Sequence, residues 1–300
     1  MTTATPQNPV PNGTTEHAPQ NPTAKHAPRR GSTRQALSGP HARRAPHSPR
    51  LSSWTGAIAF EWTKLVSVRS TWWILVSAVI CTIAGSWLLG ASALASGLNG
   101  FDTAMPAPQI VVQTMLIVEM AVVLLGTFAI TSEYSTGSIM TTLQSVPRRF
   151  QVLVGKTVVL VLIGIVAGAA LILIGTPIAA GAAAEFGRFE FSDLVRAMIG
   201  TGVGLALLSI VVLGLGAALR SAAFTIITAL ALLHVVPNIL PLFGVEAIGD
   251  LVRFLPNQAI SVLAVETTQP YTWPVALAVL AGWAGAGLLV GYTVLRTRDA

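Results

Sequence analysis

Long uncharged stretches alternate along the chain with short polar connections, and this pattern predicts an all-α protein with six membrane-spanning helices. A helix needs about 20 mostly apolar residues to cross a bilayer. Sustained apolar runs favour helices over barrel strands, in which apolar and polar positions would alternate. The predicted spans are 72–96, 109–131, 153–176, 197–219, 222–243 and 273–295.

Shorter amphipathic helices are predicted outside the spans. Spacings of four, four and three residues place one apolar stripe on segment 54–69. The two tryptophans in this stripe suit a membrane interface. The alternative is that the segment simply begins the first span. The stripe is Trp54, Ile58, Trp62 and Leu65, with Glu61, Lys64 and Arg69 at other positions. A second stripe covers 247–265, where Pro256 divides it into two short helices that lie at the outer interface or re-enter the membrane.

The composition agrees with a membrane protein. Hydrophobic residues make up 53% of the 300 and charged residues only 10%, and the mean hydropathy is +0.69. A soluble domain carries roughly 25% charged residues, so a soluble domain is excluded. One cysteine, Cys81, excludes an intramolecular disulfide framework and a cysteine-based zinc cage.

The net charge of +6 is unevenly distributed. Residues 1–70 carry +7 and the remainder −1. Residues 1–50 hold nine of the 18 prolines and almost no large apolar residues, which predicts a disordered tail. A basic tail could bind nucleic acid or lie near anionic lipid; the membrane composition favours the lipid, and no nucleic-acid binding is predicted. With the N-terminus inside, 15 Lys and Arg face the cytoplasm and three face outward, so both termini are predicted to be cytoplasmic.

No catalytic or cofactor-binding motif stands out. Gly155-Lys156-Thr157 resembles the end of a phosphate-binding loop, but Phe150 occupies the position of the required glycine. His234 is the only histidine after residue 47 and is interpreted as a packing residue. We therefore predict that the chain is not an enzyme and binds no cofactor.

Glu119 interrupts the second predicted span. An ionisable group at that depth usually faces the bundle interior or a wet cavity. It is either a pathway or gating residue or a protonated, hydrogen-bonded packing group. Gln113 is a second polar candidate in this span, but six residues away it lies on another face.

Glycines at a spacing of four permit close helix contact. We expect these pairs to pack within the bundle. They are Gly164 with Gly168, Gly200 with Gly204, and Gly287 with Gly291.

Three segments together carry a family resemblance. They are AFEWTKLVSVRSTWWILV (59–76), ITSEYSTGSIMTTLQSVPRRFQVLVGK (130–156) and LPNQAISVL (255–263). In these segments the chain resembles the permease subunit of an ABC-2 type ABC transporter, over roughly 54–298. The resemblance implies a transmembrane domain, here 51–300, in the bacterial cell membrane. Its function would be export of a small molecule, peptide or lipid.

The resemblance also implies partners. A coupling helix over about 133–147 would dock on a separate ATP-binding subunit, which holds the ATP and magnesium. The residues carried over to this role are Glu133, Tyr134, Ser135, Thr136, Gly137, Met140, Thr141, Leu143, Arg148 and Arg149. Met140 departs from the arginine that similar sequences often have. The permease would pair with itself or with another permease.

Two other functions stay open at this stage. One is an ion-coupled secondary transporter that uses Glu119, although no clear internal repeat is present. The other is a membrane-anchored regulatory protein or enzyme, in which the basic tail binds something specific.

Overall fold

The computed structural model describes residues 54–102, 104–135, 149–244, 246–265 and 269–297, and within these ranges it contains helices and no strand. The predicted tail at 1–50 and segment 136–148, which holds most of the predicted coupling helix, lie outside the described residues. The helices are α1 (Trp54–Ser67), α2 (Arg69–Leu98), α3 (Ala107–Gln113), α4 (Met115–Ser135), α5 (Arg149–Ala183), α6 (Phe191–Leu219), α7 (Ala222–Leu230), α8 (Val236–Ile239), α9 (Glu246–Val252), α10 (Pro256–Ala264) and α11 (Trp273–Thr297).

Six helical segments are long and apolar enough to cross a membrane, which confirms the predicted number of candidate spans. They are Arg69–Leu98, Ile117–Tyr134, Gln151–Gly187, Phe191–Leu219, Ala222–Phe243 and Trp273–Val294. The described chain is therefore all-helical and has the architecture of a multi-pass membrane protein. The cytoplasmic position of the termini stays a prediction.

The second and third spans differ from their predicted bounds. Span 109–131 is not one helix, because Thr114 separates α3 from α4. The Thr114 amide donates to the Val111 carbonyl at 2.9 Å and its hydroxyl to the same oxygen at 2.7 Å, which closes a tight turn at the end of α3. The third span extends beyond 176 to Ala183, and Pro177 is accommodated inside the helix.

Helix α6 forms the centre of the bundle, with most of its side chains buried. It packs against α4, α5, α10 and α11. A Cβ atom added to Gly200 would lie 2.0 Å from the Leu263 carbonyl oxygen, and one added to Gly214 would lie 2.2 Å from that of Gly287. Glycine is required wherever two backbones approach this closely. The glycine pairs named above contact helices of the same chain, which confirms their predicted packing role.

The short helices lie at the ends of the bundle. α1 covers the predicted amphipathic segment, with Trp54 and Trp62 exposed and Ala57 and Leu65 buried against the bundle. Pro256 begins α10, so the stretch after the fifth span is divided where the sequence predicts. The placement of these helices at a membrane interface stays a prediction.

Candidate functional site: a buried ion cluster and a polar pair between spans

Four charged side chains from three helices meet at one end of the bundle, and we refer to Glu61, Lys64, Glu133 and Lys156 as the ion cluster. Lys156 Nζ lies 2.7 Å from Glu61 Oε2 and 2.6 Å from Glu133 Oε1. Lys64 Nζ also donates to Glu133 Oε1. Lys156 is 1% exposed and Glu133 is fully buried, whereas the Lys64 side chain is 32% exposed. Lys156 therefore bridges two carboxylates inside the protein.

The local sequence explains why these groups meet. Ala57, Glu61 and Leu65 recur every four residues and form the buried face of α1. A Cβ atom on Gly155 would lie 3.4 Å from the Ala57 carbonyl oxygen, an ordinary van der Waals distance, which shows that α1 packs directly on α5 beside Lys156. Glu133 lies near the C-terminus of α4, where the helix dipole disfavours an anion. The ammonium groups of Lys64 and Lys156 offset this unfavourable interaction of Glu133 with the helix dipole.

The charges of the ion cluster balance, but the hydrogen bonding is incomplete. Glu133 Oε2 is buried and has no hydrogen-bond partner among the described residues. Burial raises the pKa of Glu61 above its ordinary value of 4.5, and the neighbouring Lys156 opposes that rise. Desolvation is therefore stronger than ion pairing at Glu61, although its carboxylate contacts an ammonium directly.

Two predicted coupling residues are involved in contacts within the chain. The Glu133 side chain has no exposed surface, and the guanidinium of Arg220 lies 5.2 Å from the centre of the Tyr134 ring. Ser135 and Arg149 are the terminal residues of α4 and α5. The remaining predicted coupling positions, Thr136, Gly137, Met140, Thr141, Leu143 and Arg148, lie outside the described residues.

The interfacial residues predicted on and after α1 divide between two environments. Trp54 and Trp62 are exposed on the outer side of α1, and Arg69 is exposed at the start of α2. Lys64 instead joins the ion cluster. Of the four residues of the ion cluster, Lys64 and Glu133 are therefore predicted from the sequence, in separate roles, whereas Glu61 and Lys156 are not predicted as site residues.

A second polar site lies between candidate spans. His234 Nε2 lies 3.3 Å from Glu119 Oε2, with Glu119 1% exposed and the His234 side chain 19% exposed. Gln113 does not join them: it is exposed at the end of α3 and donates to Met105 Sδ at 3.1 Å. In the sequence, Glu119 and His234 are separate candidates, and nothing there predicts their contact. The sequence signal for this pair is that each residue is an isolated ionisable group in an apolar stretch, where it needs a polar partner.

The backbone around His234 is irregular for an identifiable reason. A π-helical turn, Ala231–Val235, connects α7 to α8, and Pro237 follows it. Proline has no amide hydrogen, so the Leu233 carbonyl loses its helical donor. The Asn257 side chain on α10 donates to this oxygen at 3.1 Å. Asn257 therefore ties the segment after the fifth span to the irregular turn that carries His234.

Neither site shows a ligand set for a metal, since the described part of the chain contains no group of three or more metal-ligating His, Cys, Asp or Glu side chains. Comparison with protein-family models and with curated proteins found no match for this chain.

Proposed function

We propose that this chain is the membrane permease subunit of an ABC-2 type transporter, an exporter driven by a separate ATP-binding subunit. The observation that carries the proposal is the position of the ion cluster. Glu133 precedes segment 136–148 and Lys156 follows it, and both connect to α1 through charged contacts. A force applied to that segment would therefore reach three helices at once.

The burial of the ion cluster suits it to transmitting displacement. A partner that docks on segment 136–148 would pull or push on the ends of α4 and α5, which Lys156 holds together. Because helices are stiff, displacement there would tilt the spans and open a path between two permease copies. Glu133 and Tyr134 act in this scheme by positioning the docking segment, whereas Thr141, Arg148 and Arg149 are the proposed contact residues.

The test is co-purification of the full chain with candidate ATP-binding subunits from the same organism. We expect a stable complex that Arg148→Glu weakens at least tenfold. The matched control is Arg188→Glu, which makes the same change of charge at an exposed position beyond the other end of α5 and should leave the complex intact. Equal binding by both variants would contradict docking on segment 136–148.

A second function, ion-coupled transport, is favoured by the contact between Glu119 and His234. A carboxyl group and an imidazole at 3.3 Å can bind one proton between two candidate spans. This alternative predicts uptake or export driven by a proton gradient in vesicles without ATP. It also predicts that Glu119→Gln abolishes the pH dependence of transport, so an unchanged pH profile would remove a charge-based role for Glu119.

A further inference from the structure

A half-enclosed cavity of about 310 Å³ lies beside the ion cluster, between α1, the start of α2 and α4. Its wall along α4 runs from Leu125 to Ser132, which is about 10 Å of helix. Leu125 and Phe128 give this wall an apolar part, whereas Ser132 and Lys64, whose ammonium reaches the adjacent Glu133, lie towards the other end. The cavity therefore has the polarity of an amphiphile, with an apolar length and a polar end.

The accessible charge at the polar end is positive. Glu61 lines the cavity, but its carboxylate is buried against Lys156, and Glu133 has no exposed surface. The Lys64 side chain is one-third exposed, and Arg69, between the lining residues Val68 and Ser70, is exposed. Because an ammonium has three N–H donors, Lys64 can donate to Glu133 and also to a bound anion.

A second groove on the same part of the fold provides an internal comparison. It has a similar volume of about 330 Å³ and is formed by α1, α2 and α5, with Trp62, Leu75 and Val166 in its wall. No charged residue lines this second groove. An acyl chain could occupy either groove, but of the two only the cavity beside the ion cluster has a cation, Lys64, in its wall, with the exposed Arg69 next to its lining residues in the chain.

We propose that the cavity beside the ion cluster is a binding site for one anionic phospholipid. The phosphate headgroup lies against Lys64 and Arg69, and an acyl chain extends along Leu125 and Phe128. Charge complementarity selects an anionic headgroup over a zwitterionic one, and the apolar wall selects a lipid over free phosphate. The proposal rests on the fold and does not require an ATP-binding partner.

Photo-crosslinking of the full chain in phosphatidylcholine vesicles tests this site. The vesicles carry a trace of phosphatidylglycerol or of phosphatidylcholine with a photoactivatable acyl chain. Peptide mapping is expected to show several-fold stronger labelling of segment 125–132 by the phosphatidylglycerol probe. Labelling of the second groove should not distinguish the two probes.

Two variants make the test specific. Ala129→Phe fills the cavity and should reduce phosphatidylglycerol labelling of segment 125–132 several-fold, whereas Ala167→Phe in the second groove should leave it unchanged. Arg69→Gln alters only an exposed side chain and should lower labelling by phosphatidylglycerol towards that of phosphatidylcholine. Equal labelling by the two probes in the unmodified chain, or a preference that Arg69→Gln leaves intact, would overturn the proposal.

Discussion

Buried charge is compensated differently in the ion cluster and in the Glu119–His234 pair. In the ion cluster each buried carboxylate contacts an ammonium, and the two carboxylates share Lys156. In the pair a single buried carboxyl group contacts an imidazole, which is charged only when it is protonated. The balanced charges of the ion cluster therefore suit a lasting connection between helices, whereas the charge of the Glu119–His234 pair changes when the imidazole is protonated.

The largest effect is expected when the shared cation of the ion cluster is removed. Lys156→Met leaves two buried carboxylates that only Lys64 can compensate, and breaking a buried ion pair in this way costs about 3–5 kcal/mol. We expect a loss of that size in the free energy of unfolding, measured in mixed micelles. Lys64→Met is the control, because the Lys64 side chain is partly exposed and its loss should cost less. Equal losses would show that Lys156 does not hold the ion cluster together.

A smaller effect is expected near the pair, where Asn257 satisfies the Leu233 carbonyl. Asn257→Ala leaves a carbonyl of a buried residue without its donor, which costs about 1–3 kcal/mol. Pro237→Ala restores an amide that can serve the same oxygen. We therefore expect Asn257→Ala to destabilise the Pro237→Ala protein less than the unmodified protein, by the same unfolding measurement. Identical losses in both backgrounds would contradict this account of the irregular turn.

The sequence predicts the candidate spans well because each depends on local composition. A run of some 20 apolar residues can bury its backbone only as a helix in a bilayer, whatever its neighbours are. The sequence does not predict the separation of α3 from α4, because one threonine in an apolar run leaves the hydropathy pattern unbroken; in the structure the Thr114 amide and hydroxyl both donate to the Val111 carbonyl. The continuation of α5 to Ala183 was missed because Pro177 and the many small residues around it suggest an ending.

The partners within the candidate sites could not be predicted from one sequence. Glu61 and Lys156 are 95 positions apart, and Glu119 and His234 are 115 apart, so their contacts depend on how the helices pack. In the sequence, Lys156 belongs to a rejected phosphate-binding motif and ends the resemblance segment 130–156, and neither feature points to Glu61. The position of Lys156 at the start of a long uncharged run was a usable signal, because a charge at a helix end must find water or a partner.

The pair itself should show a modest coupling energy. A double-mutant cycle with Glu119→Gln and His234→Gln measures it, and residues in direct contact couple by about 0.5–3 kcal/mol. We expect a value near the lower end, about 1 kcal/mol, since the contact of 3.3 Å lacks hydrogen-bond geometry. A cycle between Glu133→Gln and Lys156→Met should give a larger coupling. A larger coupling energy for Glu119–His234 than for Glu133–Lys156 would contradict the expectation that the ion cluster is the more strongly coupled site.

The smallest expected effect is a pH dependence that comes from Glu61. Burial raises the pKa of Glu61 above 4.5, against the opposing influence of Lys156, so above pH 4.5 the folded chain retains a proton that the unfolded chain has released. The stability from this retained proton is fully present below pH 4.5 and is lost as the pH rises through the folded-state value. Glu61→Gln should therefore remove a decline in the free energy of unfolding above pH 4.5.

Lys156→Met provides the second half of that measurement. Because Lys156 lowers the pKa of Glu61, its removal should raise that pKa further and extend the decline to higher pH. The free energy of unfolding is measured against pH in the unmodified and the Lys156→Met backgrounds, each with and without Glu61→Gln. In each background, the difference made by Glu61→Gln cancels the titration of other carboxyl groups. A decline at the same pH in both backgrounds would mean that Lys156 does not influence Glu61. The ion cluster would then be two separate contacts, and displacement of Glu133 would not reach α1 through Lys156.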